Sequence, residues 1–458
     1  MSRAPRANAA NSLFCWVALG LLLALPLRAQ EEAGEPEQPA YSGPAVLSRS
    51  SGSILRLPRE SVRFRPMFGV NGVYDTSFAA VSVDEQGNQI QQNLTGVEGT
   101  AGILGFRRFR RGNVSADYRG NYRRYNQSQL FNGSDHLFAL GYTHQVNRQV
   151  QFSLRQTAGT FQRGFFFPMA LGTVTPDETN IPRDEIFDSR VYYSDSSADV
   201  TVRLSARSSV NMGGDAFVVR RKASALFGVT GGGARADYSR RMTRNVTLGA
   251  QYNFNKFNFT NSFGATDLHT VALNYGHRLG RRTELALSAG GMRVELQSLR
   301  SVPVDPVLEA ILGIRSGIEA FYNVNYLPYA SIRLTQGYRQ GSLTVSASSG
   351  VTPGNGLLLT ARQQQFNTNY TYTGIRRWNF GFGLYYSEMS AVTQQIGPFT
   401  TYGGGSGASY ALGQGLHLNS RVDYRKFTVG GESNFLRSGV RFTVGLSYAP
   451  GDFPLTLW

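Results

Sequence analysis

Of the 458 residues only one is a cysteine, Cys15. It sits in the leading segment, so a disulfide framework or a thiolate metal centre is excluded from everything that follows. Lysine is nearly as scarce: Lys222, Lys256 and Lys426 are the only lysines among 46 basic residues. Almost all of the positive charge is therefore guanidinium. Past residue 30 no stretch approaches ~18 consecutive apolar residues, which excludes a bundle of membrane helices. No Gly-x-Ser-x-Gly elbow, His-Glu-x-x-His pair or phosphate loop is present, so the usual hydrolase, zinc-protease and nucleotide signatures are missing. Acids are few, 30 in all, and the net charge is +16.

What is present begins with a leader. Arg3 and Arg6 form a basic start, residues 13–25 an apolar run, Pro26 a breaker, and Ala29 a small residue before Gln30. That order predicts a cleaved signal peptide over residues 1–29 and hence export. As a retained anchor the run is too short for about 30 Å of hydrocarbon. Export makes nucleic acid an improbable partner for the basic charge. Lipopolysaccharide phosphates, acidic polysaccharide and anionic solutes are the remaining candidates. Residues 30–61, rich in Glu, Pro, Ser and Gly, cannot bury enough apolar area to fold alone. They read as a periplasmic tail or a plug.

From residue 62 onward one pattern recurs: eight to fourteen residues alternate apolar and polar, then turn. Over 113–123, Val114, Ala116, Tyr118, Gly120 and Tyr122 share one face, with Ser115, Asp117, Arg119, Asn121 and Arg123 on the other. Segments 149–155, 245–254, 377–386, 415–425 and 438–448 repeat it. Successive strand side chains point to opposite faces, so each strand has an apolar and a polar side. Glycine (52), tyrosine (23) and phenylalanine (29) suit such strands. Short connections near 107–112, 145–148, 206–209, 242–245, 279–282, 338–341, 374–377 and 412–415 alternate with longer ones, among them 76–92, 163–189, 298–326 and 386–402. A soluble sandwich has no reason to segregate loop length in this way, whereas a membrane barrel does. The expected fold is all-β: a single transmembrane, antiparallel, up-and-down barrel over residues 62–458. It has about 18 strands, or 16 if the irregular stretches 228–233 and 363–369 do not form strands.

The search for chemistry is mostly negative. His136 and His144, like His269 and His277, lie eight residues apart on a shared face. That is about 26 Å of strand, too far for one metal ion but suited to the two rims of an apolar band. His417 falls on a polar face and is a pore-lining candidate. The triplets Gly231-Gly232-Gly233 and Gly403-Gly404-Gly405 open no helix and read as places where strands curve or pass closely. No metal, cofactor or catalytic constellation is expected. Nine arginines, Arg119, Arg123, Arg155, Arg203, Arg333, Arg362, Arg421, Arg425 and Arg441, are assigned to the polar strand faces, where Asp117, Asp199 and Asp423 are fewer. Two readings stand side by side. The arginines give a water-filled lumen a positive field that favours anions, or they brace the wall in ladders with the acids. Within 298–326, Asp305-Pro306 followed by Val307, Leu308, Ile311, Leu312, Ile314 and Ile318 predicts an amphipathic helix at the mouth. Phe165-Phe166-Phe167-Pro168 is an apolar knot in another long connection.

With its signal peptide, the hairpins Tyr142-Thr143-His144…Arg148 and Tyr275-Gly276-His277…Arg281, and the terminal aromatic Trp458, the chain resembles the porin-type outer-membrane β-barrels of Gram-negative bacteria. The resemblance implies a non-enzymatic channel for passive diffusion of small solutes, and the first reading of the arginines would make anions the favoured ones. Its partners would be outer-membrane lipid, lipopolysaccharide and the barrel-assembly machinery. Barrels of this look also accompany exopolysaccharide export. The alternative is thus a structural or export-associated barrel, occluded by the tail or by connection 298–326. Residues 449–458, with Pro450 and Pro454, depart from the family's closing strand and leave open whether Tyr448 or Trp458 is the assembly signal.

Overall fold

The computed structural model describes residues 62–76, 82–83, 89–90, 93–126, 132–162, 190–260, 262–303, 313, 316–392, 397–430, 435–450 and 453–455. They belong to one compact unit, Pro39–Trp458. The predicted leader, the tail, the knot 165–168 and Trp458 lie outside the described residues.

In chain order the strands are β1 (Val62–Asp75), β2 (Ser82–Val83), β3 (Gln89–Ile90), β4 (Leu94–Phe109), β5 (Gly112–Tyr125), β6 (Gly133–Gln145) and β7 (Val150–Gln162). Next come β8 (Arg190–Arg203), β9 (Ser208–Arg221), β10 (Gly228–Arg241), β11 (Val246–Thr260), β12 (Ala265–Arg278), β13 (Thr283–Pro303) and β14 (Ser316–Tyr338). The last are β15 (Gly341–Thr352), β16 (Ala361–Tyr372), β17 (Trp378–Ala391), β18 (Phe399–Gly413), β19 (Leu416–Val429), β20 (Phe435–Tyr448) and β21 (Phe453–Leu455). The small pair β2–β3 joins only itself. β1 and β4 to β20 form the wall. Each pairs antiparallel with its neighbour in sequence, and β20 closes on β1 from Phe68↔Tyr448 to Asp75↔Arg441. The result is a closed barrel of 18 strands. β10 and β16, the two stretches expected to be irregular, are fully paired wall strands.

Alternation in sequence becomes inside and outside here. Directly opposed residues share a face, so parity carries from strand to strand. It closes without contradiction: Arg441 faces Asp75, Asn71 faces Glu98, Glu98 faces Arg123, and Asp423 faces Arg441. On the other parity lie Phe68, Val70, Tyr122, Phe138, Leu140, Leu154, Met212, Leu248, Val271, Leu273, Phe382, Val444 and Leu446, all exposed. An apolar outer belt of this kind, on a barrel with a polar interior, is the arrangement required by a hydrocarbon surround. The four histidines of the belt sit with tyrosines at its margins. Tyr118 Oη is 3.0 Å from His136 Nδ1, Tyr252 Oη 2.9 Å from His269 Nδ1, and Tyr275 Oη 3.0 Å from His277 Nδ1, while Tyr142 stacks on His144.

The short turns follow from side chains that imitate backbone. Asn147 Oδ1 accepts from the N–H of Gln149 and of Val150, both at 2.7 Å. Ser205 Oγ does the same for Arg207 and Ser208, and Thr243 Oγ1 for Asn245 and Val246. At the opposite rim the connections are longer, with one difference from expectation. β13 and β14 run 21 and 23 residues against 12 to 16 for the other wall strands. Most of 298–326 is therefore strand rather than loop, and Ile318 lies in β14. The rest of the predicted helical stripe, 307–314, lies outside the described side chains. Cross-strand pairing from Thr283↔Gln336 to Pro303↔Ser316 satisfies the backbone that a loop would have left free. At the seam, β21 pairs with Val62–Phe64 of β1, so pairing with β1 resumes after the end of β20 at Tyr448.

Candidate functional site

The lumen has two levels. Toward the long-loop rim its wall side chains are buried; toward the short-turn rim they open to solvent around β7 and β8, at Gln151, Arg155 and Arg203, while Asn379, Ser409 and His417 stay buried. The buried level contains charge. Arg123 pairs with Asp135 at 2.9 Å, Arg441 with Glu98 across the seam, and Arg119 holds Asp117 through Nε at 3.0 Å and Nη2 at 2.6 Å. Arg421 binds Asp423 at 2.7 Å and Arg235 binds Asp199 at 2.6 Å. Removing ions from water costs several kcal/mol each, roughly, unless partners repay it. The register supplies those partners by placing acid beside base on the same face.

Between these groups the same level is apolar. Phe161, Val191, Tyr193, Phe217, Val219, Val229, Phe257, Phe259, Leu268, Met292, Val294 and Leu296 form one inward cluster. Tyr385, Met389, Phe399 and Phe427 form another. Glycines make room for this inward packing. A Cβ at Gly231 would lie 2.6 Å from the Phe217 ring, and one at Gly403 2.8 Å from the Tyr385 ring. The two glycine triplets thus let inward aromatics lie across the neighbouring strand, the close approach expected of them.

What bridges the two clusters is the connection between β15 and β16, residues 353–360. It does not rise from the rim. Pro353, Asn355, Gly356, Leu358 and Thr360 are buried, and Leu358 is 0% exposed. Leu358 packs with Tyr385, Met389, Phe399 and Phe427, while Leu359 and Val351 pack into the other cluster. Its anchors lie far away in sequence, in the β9–β10 connection and on β12. The Phe227 N–H donates to the Gly356 carbonyl at 2.9 Å, and Thr360 Oγ1 meets Thr266 Oγ1 at 2.6 Å. Arg221 donates from Nε to the Phe227 carbonyl at 2.9 Å, holding that carbonyl against the connection. Locally the fold is an Asx turn: Asn355 Oδ1 accepts from Leu357 and Leu358 N–H at 3.2 and 3.1 Å. Gly354 and Gly356 have φ of 72° and 90°, where L side chains are strained. The connection therefore spans the lumen from β16 to β9 and β12.

Register puts Arg119, Arg123, Arg155, Arg203, Arg333, Arg421, Arg425 and Arg441 on the inward parity. Arg123, Arg425 and Arg441 are buried at the packed level; Arg155 and Arg203 are exposed at the open one. Arg362 is the exception. It opposes Ser390 and shares its face with Phe366 and Tyr370, opposite to Gln363 and Gln365. The run Arg362-Gln363-Gln364-Gln365 has no alternation to set parity, so a one-residue slip is invisible in the sequence. His417 is inward and buried. Sequence reasoning missed the inward acids Asp75, Glu98 and Asp135 and the whole infolded connection. A signal for the latter existed: Pro353-Gly354-Asn355-Gly356 followed by three leucines is a turn-forming run attached to an apolar triplet that needs burial. Among the described residues no group of three or more His, Cys, Asp or Glu side chains is placed to hold a metal, and no helix is long and apolar enough to cross a membrane.

A closed wall with an apolar outside and an ion-paired inside defines a transmembrane β-barrel of the 18-strand, up-and-down class. No family model and no curated protein matches the sequence. Among solved structures the chain is similar to the ferric citrate transporter FecA in unliganded form, at 11% identity and TM-score 0.43, covering 84% of this chain and 64% of that one. It is similar to Pseudomonas aeruginosa OpdQ at 11% identity and TM-score 0.42, covering 86% and 98%. A BenF-like porin from Pseudomonas fluorescens Pf-5 gives 10%, 0.42, 85% and 98%. The fold assignment stands on the strand register of this chain.

Proposed function

We propose that the protein is a porin-like channel of the bacterial outer membrane for small solutes, with a preference for anions, and that connection 353–360 sets its aperture. The observation that carries this reading is the polarity of the wall. An interior bearing Arg155, Arg203 and Arg333 suits a water path, while Arg119, Arg235 and Arg421 also brace the wall through Asp117, Asp199 and Asp423. Arginine at the solvent-open level, Arg155 and Arg203, supports a positive vestibule on the short-turn side, which faces the periplasm in barrels of this architecture. Planar bilayers holding the purified protein should show stepwise conductance with reversal potentials displaced toward the anion. Ion-tight bilayers, with both the native protein and a variant lacking residues 354–359 correctly folded, would remove the channel reading.

The second reading, a structural or export-associated barrel without open-pore activity, draws on the burial of Leu358 and its neighbours across the lumen. The occluding segment it invokes is 353–360. The expected candidates 30–61 and 298–326 differ: the first lies outside the described residues, and the second is largely wall strand.

A further inference from the structure

The outward belt is not evenly filled. Across β20, β1, β4, β5 and β6, bulky side chains flank a strip floored by Gly99, Ala101 and Gly120, leaving a groove of about 670 Å3. Register accounts for its shape: Gly99 lies between Val70 and Tyr122, and Ala101 between Phe68 and Gly120. A Cβ added at Gly99 would meet nothing within 4 Å, so the floor is open rather than crowded. The volume is in the range of small-ligand sites, roughly 300–1,000 Å3.

One flank of the groove is polar. Tyr118 Oη lies 3.0 Å from His136 Nδ1, and His136 Nε2 lies 3.0 Å from Ser134 Oγ. The phenol reaches across because Gly120 has no side chain; a Cβ there would stand 3.0 Å from Tyr118 Oη. Arg124, the next outward residue toward the long-loop rim, is exposed and forms no ion pair with a described residue. In a bilayer an apolar groove on the belt is filled by acyl chain, since water there would lack partners. A hydrogen-bonding edge and an exposed guanidinium at the outer end add recognition of a hydroxyl and of a phosphate, the latter by a planar fork.

We propose that this groove is a binding site for one lipopolysaccharide molecule of the outer leaflet. An acyl chain lies over Gly99 and Ala101, an acyl hydroxyl meets the Ser134–His136–Tyr118 relay, and a lipid A phosphate sits against Arg124. The site rests on the outer-membrane location proposed above, with the long-loop rim outward, and it is independent of whether the lumen conducts.

The test is native mass spectrometry of full-length protein extracted from outer membranes in a mild non-ionic detergent. Wild type should carry one lipopolysaccharide per barrel. Gly99→Leu, which fills the floor, should lower that occupancy by about tenfold. Arg124→Gln should shift the bound lipid toward phospholipid, with heat-modifiable migration unchanged in both variants. Wild type carrying no lipopolysaccharide, or phospholipid in its place, overturns the proposal, as does an unchanged lipid complement in Arg124→Gln. Should Gly99→Leu not assemble, the Arg124→Gln comparison alone decides.

Discussion

Gly354 and Gly356 hold the infolded connection for different reasons. Gly354 stands at φ 72°, and a Cβ there would fall 1.9 Å from the Leu358 carbonyl oxygen; at Gly356 a Cβ would strike the Arg221 guanidinium at 2.5 Å. Gly354→Ala should thus dislodge the connection while the wall register stays intact. The expected outcome is a larger or more frequently open conductance in bilayers, with the same heat-modifiable migration as wild type. Leu358→Ala removes the buried anchor, at a cost of about 2–5 kcal/mol in packing, and should act in the same direction. Arg441 is the opposite kind of residue. Glu98 pairs with it, and Asp75 and Asp423 add their charges nearby. Arg441→Gln removes the buried cation paired with Glu98 and should destabilise the barrel by about 3–5 kcal/mol. Urea-dependent loss of the heat-modifiable gel band measures this. Glu98→Gln should cost less, because two acids remain beside the arginine.

Strands differ in how well their own residues declare which side is inside. β5 and β20 alternate so sharply that Arg119, Arg123 and Arg441 are assigned inward from sequence, and the register agrees. β16 carries a polar run on both faces, and there Arg362 takes by register the parity of Phe366 and Tyr370 while opposing Val351 of the packed cluster. Thiol labelling separates the two parities cleanly, because the only cysteine, Cys15, precedes every wall strand in sequence. In a membrane-embedded preparation, Gln365→Cys and Asn367→Cys should react with a small, membrane-impermeant maleimide. Phe366→Cys and Tyr370→Cys should not. Reversed labelling would return Arg362 to the lumen. β13 and β14 show the converse limit: the apolar spacing that suggested a helix near 305–318 gave way at Ile318 to strand pairing. A short apolar run fits either period, and the cross-strand partner decides.

For the whole molecule, closure is the property that matters most. Eighteen strands leave no free edge in the wall where β20 meets β1, so the barrel should survive in detergent as a compact, fast-migrating species that slows on boiling. The lumen's charge belongs to this scale too. Anion preference should weaken in an Arg155→Gln, Arg203→Gln double variant, since both side chains face the solvent-open level. It should also fade as salt rises, because about 0.1 M salt screens charges beyond about 10 Å. Reversal potentials measured across a salt series check both outcomes, and an unchanged potential in the double variant would assign the selectivity to other groups.

Composition and strand alternation were enough to determine an all-β chain, the barrel and its 18 strands. These properties are local or periodic, and each strand carries them in its own residues. Only the tertiary structure decided that residues 353–360 cross the lumen, that Glu98 and Asp75 flank Arg441, and that a groove opens over Gly99. Each depends on residues from strands far apart in sequence being brought side by side, and periodicity within one strand holds no information about which distant partner will stand there.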